Sequence, residues 1–299
     1  MARDLHEDPG AFGGLPEAPV YASARFAVLP IPYDGTSTWQ KGADRGPEAL
    51  LQASANMELY DIETDSEPWR AGIVTMAPQT GFDSPEAMVE SVRSEAAALI
   101  EDGRTVVGLG GEHSVSIGLI QAHAARWPGL TVLQFDAHGD SRDQYEGSKC
   151  NHACVMARAA ECAEYVAVGI RSMDVAEKAR LVPGRTIFAH EIEDVDATAR
   201  RILERITGPV YITIDLDVLD PSEMPSTGTP EPGGLSYRQL KSLLKAVCRE
   251  RQVVGFDVVE LMPRPGNLAP DFLAARLTYQ LMAFVLTSEH SAFSKGESL

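Results

Sequence analysis

Short apolar runs rich in β-branched residues alternate with amphipathic stretches along this chain, from about Arg25 to about Leu286. The alternation points to a parallel α/β sheet, because parallel strands cannot be joined by hairpins and a helix is the usual return path. The expected strands are RFAVLPI from Arg25, GIVTM from Gly72, TVVGLG from Thr105, LTVLQFD from Leu130, YVAVGI from Tyr165, RTIFA from Arg185, PVYITIDLD from Pro209 and VVGFDV from Val253. Most are apolar at successive positions, which fits strands covered by helices on both faces. The amphipathic segments 47–59, 85–101, 114–126, 153–163, 194–206, 237–251 and 271–286 are the expected helices. Ser84 before Pro85 and Ser236 before Tyr237 are start signals, each a short side chain able to accept from the first helical amides. No Ser/Gly linker or internal repeat divides the chain. One domain is therefore expected over residues 1–299, with about 1–20 and 291–299 as mobile ends.

The 299 residues carry 43 Asp+Glu against 26 Lys+Arg, a net charge of −17. Such an excess repels phosphate backbones and anionic headgroups and attracts cations, so nucleic acid and membranes are not expected partners. No stretch reaches the roughly 18 uninterrupted apolar residues of a membrane span, and the start, MARDLHEDPGAFGG, lacks a signal-peptide core, so neither anchor nor leader is expected. Cys150, Cys154, Cys162 and Cys248 form no C-x-x-C pair, and reduced thiols in a cytoplasmic protein are the expectation.

Function shows where apolar runs meet acids and histidines. In LTVLQFDAHGD, Asp136, His138 and Asp140 stand at i, i+2 and i+4, which in extended chain projects all three to one side. Two carboxylates and an imidazole at the mouth of a buried strand repel and are costly to desolvate unless a cation joins them; a solvated turn is the plainer alternative. PVYITIDLDVLDP repeats the pattern with Asp215 and Asp217, a pair equally readable as caps on loop amides. His113 follows the strand TVVGLG at the start of a helix, where open α/β sheets place their sites. A dinucleotide reading of this segment fails, since His113 occupies the third glycine position of G-x-G-x-x-G and no Gly-Lys-Ser/Thr follows. Two imidazoles and four carboxylates without thiolate suit two hard divalent ions of the Mn²⁺ kind.

GGEHS at Gly110–Ser114, DAHGD at Asp136–Asp140 and DLDVLDPSEMPSTGTPEPGG at Asp215–Gly234 resemble the three signature segments of the ureohydrolase family of arginases and agmatinases. IPYDGTSTWQKGADRGPEALLQAS, the GIRS from Gly169 and GFDVVELMP ending at Pro263 extend the resemblance over nearly the whole chain after Phe26. It implies a three-layer α/β/α fold with an eight-stranded, mostly parallel sheet and two Mn²⁺ ions per chain, Ni²⁺ or another divalent ion being an alternative. By that resemblance His113 and Asp140 would bind one ion, His138 and Asp217 the other, and Asp136 and Asp215 would bridge them. His152 in KCNHACVMARA matches the family's mobile proton-carrying histidine, although a packed core histidine is the plainer reading of that residue alone. Glu260 matches the acid that pairs with a guanidinium. The implied reaction is attack of metal-bound hydroxide on the guanidinium carbon, with Asp140 and His152 handling protons. A trimer or hexamer of identical chains is the implied assembly.

The loop SRDQYEGSKCNHAC resembles agmatinases more than arginases, and Ser172 stands where arginases carry an Asp. Asp143 and Glu146 in that loop are expected partners of a distal ammonium, the plainer reading being solvated loop charges. Agmatine, cationic at both ends, is therefore the expected substrate, cleaved to putrescine and urea. Guanidinobutyrate, arginine, guanidine and formiminoglutamate are the alternatives, and a non-catalytic metal-binding relative is a more distant one. Three departures from the family pattern stand out: Met262 for a usual Asn, the RPG at 264–266 where members often have a Tyr or Asp, and Ser226 for a usual Gly.

Overall fold

Six apolar residues in a row, Phe26–Ile31, are all buried and form the first strand, β1. Their side chains divide by the two-residue period of a strand: Phe26 and Val28 join one core, Ala27, Leu29 and Ile31 the other. The same division recurs along the sheet except at one edge strand, where Ile187 alone joins one core. The structure, a computed structural model, describes residue 5 and residues 10–294, with side chains up to 287.

The further strands are β2 (Ile73–Thr75), β3 (Thr105–Gly110), β4 (Thr131–Phe135), β5 (Glu164–Ile170), β6 (Thr186–Phe188), β7 (Val210–Asp215) and β8 (Val253–Val259). All eight join one sheet in the order β2-β1-β3-β8-β7-β4-β5-β6, and every pair is parallel. The helices are α1 (Gly46–Ser54), α2 (Pro85–Glu101), α3 (Val115–Arg126), α4 (Val155–Ala159), α5 (Val175–Lys178), α6 (Val195–Leu203), α7 (Tyr237–Glu250) and α8 (Ala269–Ser294). The group α1, α6, α7 and α8 covers one face, and α2, α3 and α4 cover the other, giving three layers. Both expected serine caps form. Ser84 accepts from the Ala87 amide, and Ser236 makes a reciprocal capping box with Gln239; losing such a cap typically costs about 1 kcal/mol.

Several expectations need correction. The helix expected over 153–163 is a short 3-10 turn, His152–Cys154, followed by the five residues of α4. The last helix is longer than expected. Within the expected mobile start, Phe12 and Gly13 are packed: the Phe12 ring is fully buried against Tyr279 and its amide donates to Thr75 Oγ1 at 2.9 Å, whereas residues 16–18 and Val20 are exposed. Residues 1–4, 6–9 and 295–299 of the expected ends lie outside the described residues. Among the described residues, no helix is long and apolar enough to cross a membrane.

Because every strand runs the same way, all carboxyl ends meet at one rim. The four central strands each deliver part of the site there: His113 after β3, Glu260 after β8, Asp215 and Asp217 at the end of β7, and Asp136, His138 and Asp140 after β4.

Candidate active site

β4 ends at Phe135, but the acidic segment stays alongside the β5 end: the Asp136 amide donates to the Val168 carbonyl at 3.1 Å, the Ala137 carbonyl accepts the Arg171 amide at 2.8 Å, and His138 bridges Ser172 in parallel. The Asp136 carboxylate accepts the His138 amide at 2.6 Å and the Gln134 side-chain amide at 2.7 Å, while Asp140 adopts a positive φ of 43°. Glu260 likewise sits at φ 67°. Left-handed backbone at non-glycine residues is strained, and here it falls on two groups the site needs in place. On the neighbouring strand end, Asp215 accepts the Asp217 amide at 2.9 Å, and Asp217 accepts the Ala137 amide at 3.0 Å, which ties the two loops together. Arg171 reinforces the tie by donating to the carbonyls of Asp217 and Glu231.

His113 lies beneath these acids, fully buried, with Nδ1 3.0 Å from Asp140, 3.2 Å from Asp136 and 3.5 Å from Asp215. Its other nitrogen, Nε2, is 2.9 Å from Thr213 Oγ1, and the Thr213 hydroxyl donates to Asp257 at 2.7 Å. With its proton committed to Asp257, Thr213 can only accept from the ring, so His113 carries hydrogen on Nε2 and turns Nδ1 to the carboxylates. Burial works against a charged ring, but the hydrogen bonds of Asp136 and Asp140 raise it well above its ordinary value, so Nδ1 holds a proton that a divalent cation would have to displace. His138 is nearer the surface, with Nδ1 2.8 Å from Asp217 and 3.8 Å from Asp136. Two groups of potential ligand atoms result, His113–Asp136–Asp140 and Asp136–His138–Asp217, each within 4.8 Å and sharing Asp136.

The electrostatics show a site short of positive charge. Burial, then Asp140 and Asp217, push the Asp136 carboxyl up to about 7. Asp215 is raised well above the ordinary range by burial and by Asp217 and Asp136. Burial works against a charged His138, yet Asp217 outweighs it and raises the ring to about 10. For Asp217, burial works upward but the charge of His138 holds the carboxyl down at about 2. Oxygen and imidazole donors without thiolate, crowded until they compete for protons, are a donor set that a divalent cation fits.

An open cleft of about 400 Å³ gives access to this cluster. Its inner wall carries His138, Asp140, Asp215, Asp217, Glu260 and His152. Glu260 accepts the His113 amide at 2.8 Å and is raised well above the ordinary range by burial and by neighbouring Glu112, so a cation beside it would be welcome. Farther out the cleft is lined by Arg142, Tyr145, Asp174 and Glu177.

A match to the arginase family model runs over residues 24–284, most of the chain. The chain belongs to the arginase family. Among its relatives is an N(1)-aminopropylagmatine ureohydrolase of Synechocystis, 39% identical over 281 residues, covering 88% of this chain and 90% of that protein. An agmatinase of Pyrococcus horikoshii is 33% identical, covering 87% and 91%. Among solved structures, the agmatine ureohydrolase of Thermoplasma volcanium superposes with a TM-score of 0.85 at 28% identity, covering 95% of this chain and 97% of that one. The chain is thus an arginase-family ureohydrolase of the agmatinase type, with the family's three-layer fold and a cluster of residues able to hold a metal.

Of the residues picked out from sequence, the six expected ligands, His152 and Glu260 converge on this arginase-family cleft. Asp143 and Glu146 do not. The Asp143 carboxylate turns to Arg158 at 2.8 Å and Lys149 at 3.5 Å, outside the cleft, which corrects its expected place beside the substrate. Glu146 is an exposed turn residue at φ 45° and also stays off the lining. The acids that do line the outer cleft, Asp174 and Glu177, went unnoticed in sequence although D-x-x-E is a helix-start signal; together they form the capping box of α5. Thr36, Glu112, Thr213 and Asp257 were also missed. The last two carried a signal, being polar residues inside strands that are otherwise apolar.

Proposed function

We propose that this chain hydrolyses guanidines whose far end is cationic, agmatine giving putrescine and urea, with two divalent ions, best Mn²⁺, in the carboxylate–imidazole cluster. The observation that carries this reading is one cleft lined by members of both ligand groups, Asp140 of one and His138 and Asp217 of the other, together with Asp215, Glu260, His152 and Asp174, with His113 and Asp136 buried beneath. His113 and Asp140 would hold one ion, His138 and Asp217 the other, and Asp136 and Asp215 would lie between them. When bound, such ions supply water acidified toward neutral pH and positive charge to steady the reacting centre. Glu260 binds the guanidinium and orients its central carbon toward the cluster. An amine leaves readily only when protonated, so His152 delivers a proton to the departing nitrogen. Exposed Asp174 offers negative charge to the distal ammonium, whereas Glu177 is buried, paired with Arg142 and occupied by the Ser141 and Asp174 amides, and so holds that wall in place.

One observation favours a longer substrate. The relative from Synechocystis carries the name of an N(1)-aminopropylagmatine hydrolase, and such a molecule has one more amine than agmatine. A urea-release panel on Mn²⁺-loaded protein decides among agmatine, N(1)-aminopropylagmatine, arginine, guanidinobutyrate and guanidine, with metal analysis alongside. The expected winner is one of the first two. Arginine or guanidinobutyrate winning would overturn the cationic-end reading, and no urea from any of them would overturn hydrolysis.

A further inference from the structure

The loop after β1, reading YDGTSTW, crosses the site beside the GGEHS segment. Gly111 permits the crossing: a Cβ there would collide with the Tyr33 carbonyl oxygen. The Glu112 amide donates to that same carbonyl, which brings Thr36 within reach of the Glu112 side chain. Thr36 Oγ1 then has three partners. It lies 2.9 Å from Glu112 Oε1, 3.0 Å from the His152 amide nitrogen and 3.1 Å from His152 Nδ1.

A hydroxyl has one proton and two lone pairs, so the directions can be solved. The His152 amide must donate. Fully buried Glu112 already receives the Ser114 amide at 2.8 Å, the Ser114 hydroxyl at 2.8 Å and the Thr36 amide at 3.3 Å, the last two at the same oxygen that faces the Thr36 hydroxyl. A carboxylate oxygen surrounded by donors accepts, so the Thr36 proton goes to Glu112. The remaining lone pair of Thr36 can be satisfied only by N–H at Nδ1 of His152. Nε2 makes no hydrogen bond among the described residues, on a side chain that lines the cleft, and the Tyr145 ring stands edge-on to the imidazole at 6.0 Å.

We propose that Thr36 and Glu112 are positioning residues that fix neutral His152 as its Nδ1–H tautomer, so that Nε2 is the atom that exchanges protons in the cleft. The tautomer follows from the hydrogen bonds alone, whereas the use of Nε2 rests on the hydrolytic reading above. In one turnover Nε2 accepts the proton released as water attacks the guanidinium carbon. It gives that proton to the departing nitrogen as the C–N bond breaks and the C–O bond becomes the urea carbonyl; the oxygen's remaining proton passes to the freed amine, which leaves as ammonium, and the ring returns to neutral with Nδ1–H intact.

The test is a long-range ¹H–¹⁵N correlation spectrum of the full chain labelled at histidine, with His152→Gln identifying the His152 signals. The wild-type spectrum should show a protonated Nδ1 and a bare Nε2. Thr36→Val should shift the ring toward a mixture of tautomers, and Thr36→Ser should restore the wild-type pattern. A wild-type ring protonated at Nε2, or a Thr36→Val ring unchanged from wild type, overturns the proposal, and the first of these needs no variant to fold. Steady-state kinetics on the metal-loaded proteins should show kcat lowered about tenfold or more in Thr36→Val, KM less affected, and rescue in Thr36→Ser. A shifted tautomer with unchanged kcat would keep the positioning role and remove the proton-carrying role of His152.

Discussion

His113 and His152 are each tied to a threonine that is tied in turn to a buried acid, but at opposite ends of the ring. Asp257 and Thr213 hold His113 by Nε2, deep beneath the cluster, and leave Nδ1 facing three carboxylates. Glu112 and Thr36 hold His152 by Nδ1, in the cleft wall. On the proposed reading, the same acid–threonine–imidazole chain would make a ligand of one histidine and a proton carrier of the other. The nitrogen left over, and what it faces, decides the role.

The largest effect should come from breaking the deep side. Asp140→Asn removes a carboxylate 3.0 Å from His113 Nδ1, and urea release should fall by roughly 10³-fold or more, with metal content falling too. His152→Ala should instead leave metal content near wild type and slow turnover by about 10²-fold. Full activity in the Asp140 variant would end the metal assignment, and metal loss in the His152 variant would erase the contrast. Thr213→Val sharpens the comparison further. It should weaken metal binding by about 10- to 100-fold in a titration while leaving the His152 tautomer untouched, the reverse of Thr36→Val.

A third histidine lacks such a chain and serves as the reference. His123 is fully buried between Trp127 and Tyr211, gives Nδ1–H to the Leu119 carbonyl at 2.7 Å, and has no hydrogen-bond partner at Nε2. Burial pushes its pKa down from 6.5 to about 4, against a smaller upward effect from that carbonyl. Between these values the unfolded chain binds the extra proton, so His123 contributes stability that is complete above 6.5 and is lost as pH falls toward 4. The loss should reach about 1 kcal/mol by pH 5.5 and be absent in His123→Phe. Thermal unfolding of both proteins at pH 7 and 5.5 checks it, and equal pH slopes would refute it.

Much of this was legible in the sequence because it repeats. Strand after strand ends in acids or histidine, and a buried strand has no reason to do so without a cation to meet. The alternation of strands and helices likewise implied one rim where those ends would gather. Asp143 and Glu146 were misplaced because a loop charge says nothing about its direction; Asp143 found Arg158, which α4 delivers to the outer side of the loop. Thr36 was invisible for a related reason. Its partners Glu112 and His152 lie 76 and 116 residues away, and only the close crossing at Gly111 brings them together. Ser226 and Met262, two of the departures from the family pattern, turn out to be neighbours: the Met262 amide donates to the Ser226 carbonyl at 2.8 Å. The Ser226 hydroxyl is buried without a partner, and nothing in the structure explains that substitution.

The strand order also governs how this molecule comes into being. β8 is the last strand in the chain, yet it is seated between β3 and β7 in the middle of the sheet. Seven strands precede β8 in the chain, so β3 and β7 have unpaired edges in any nascent chain until residues 253–259 are available to fill the place between them. The segment that closes the gap ends beside Glu260. A nascent chain therefore gains its central strand and the Glu260 carboxylate of the cleft together, and its most adhesive moment comes just before the cleft is complete.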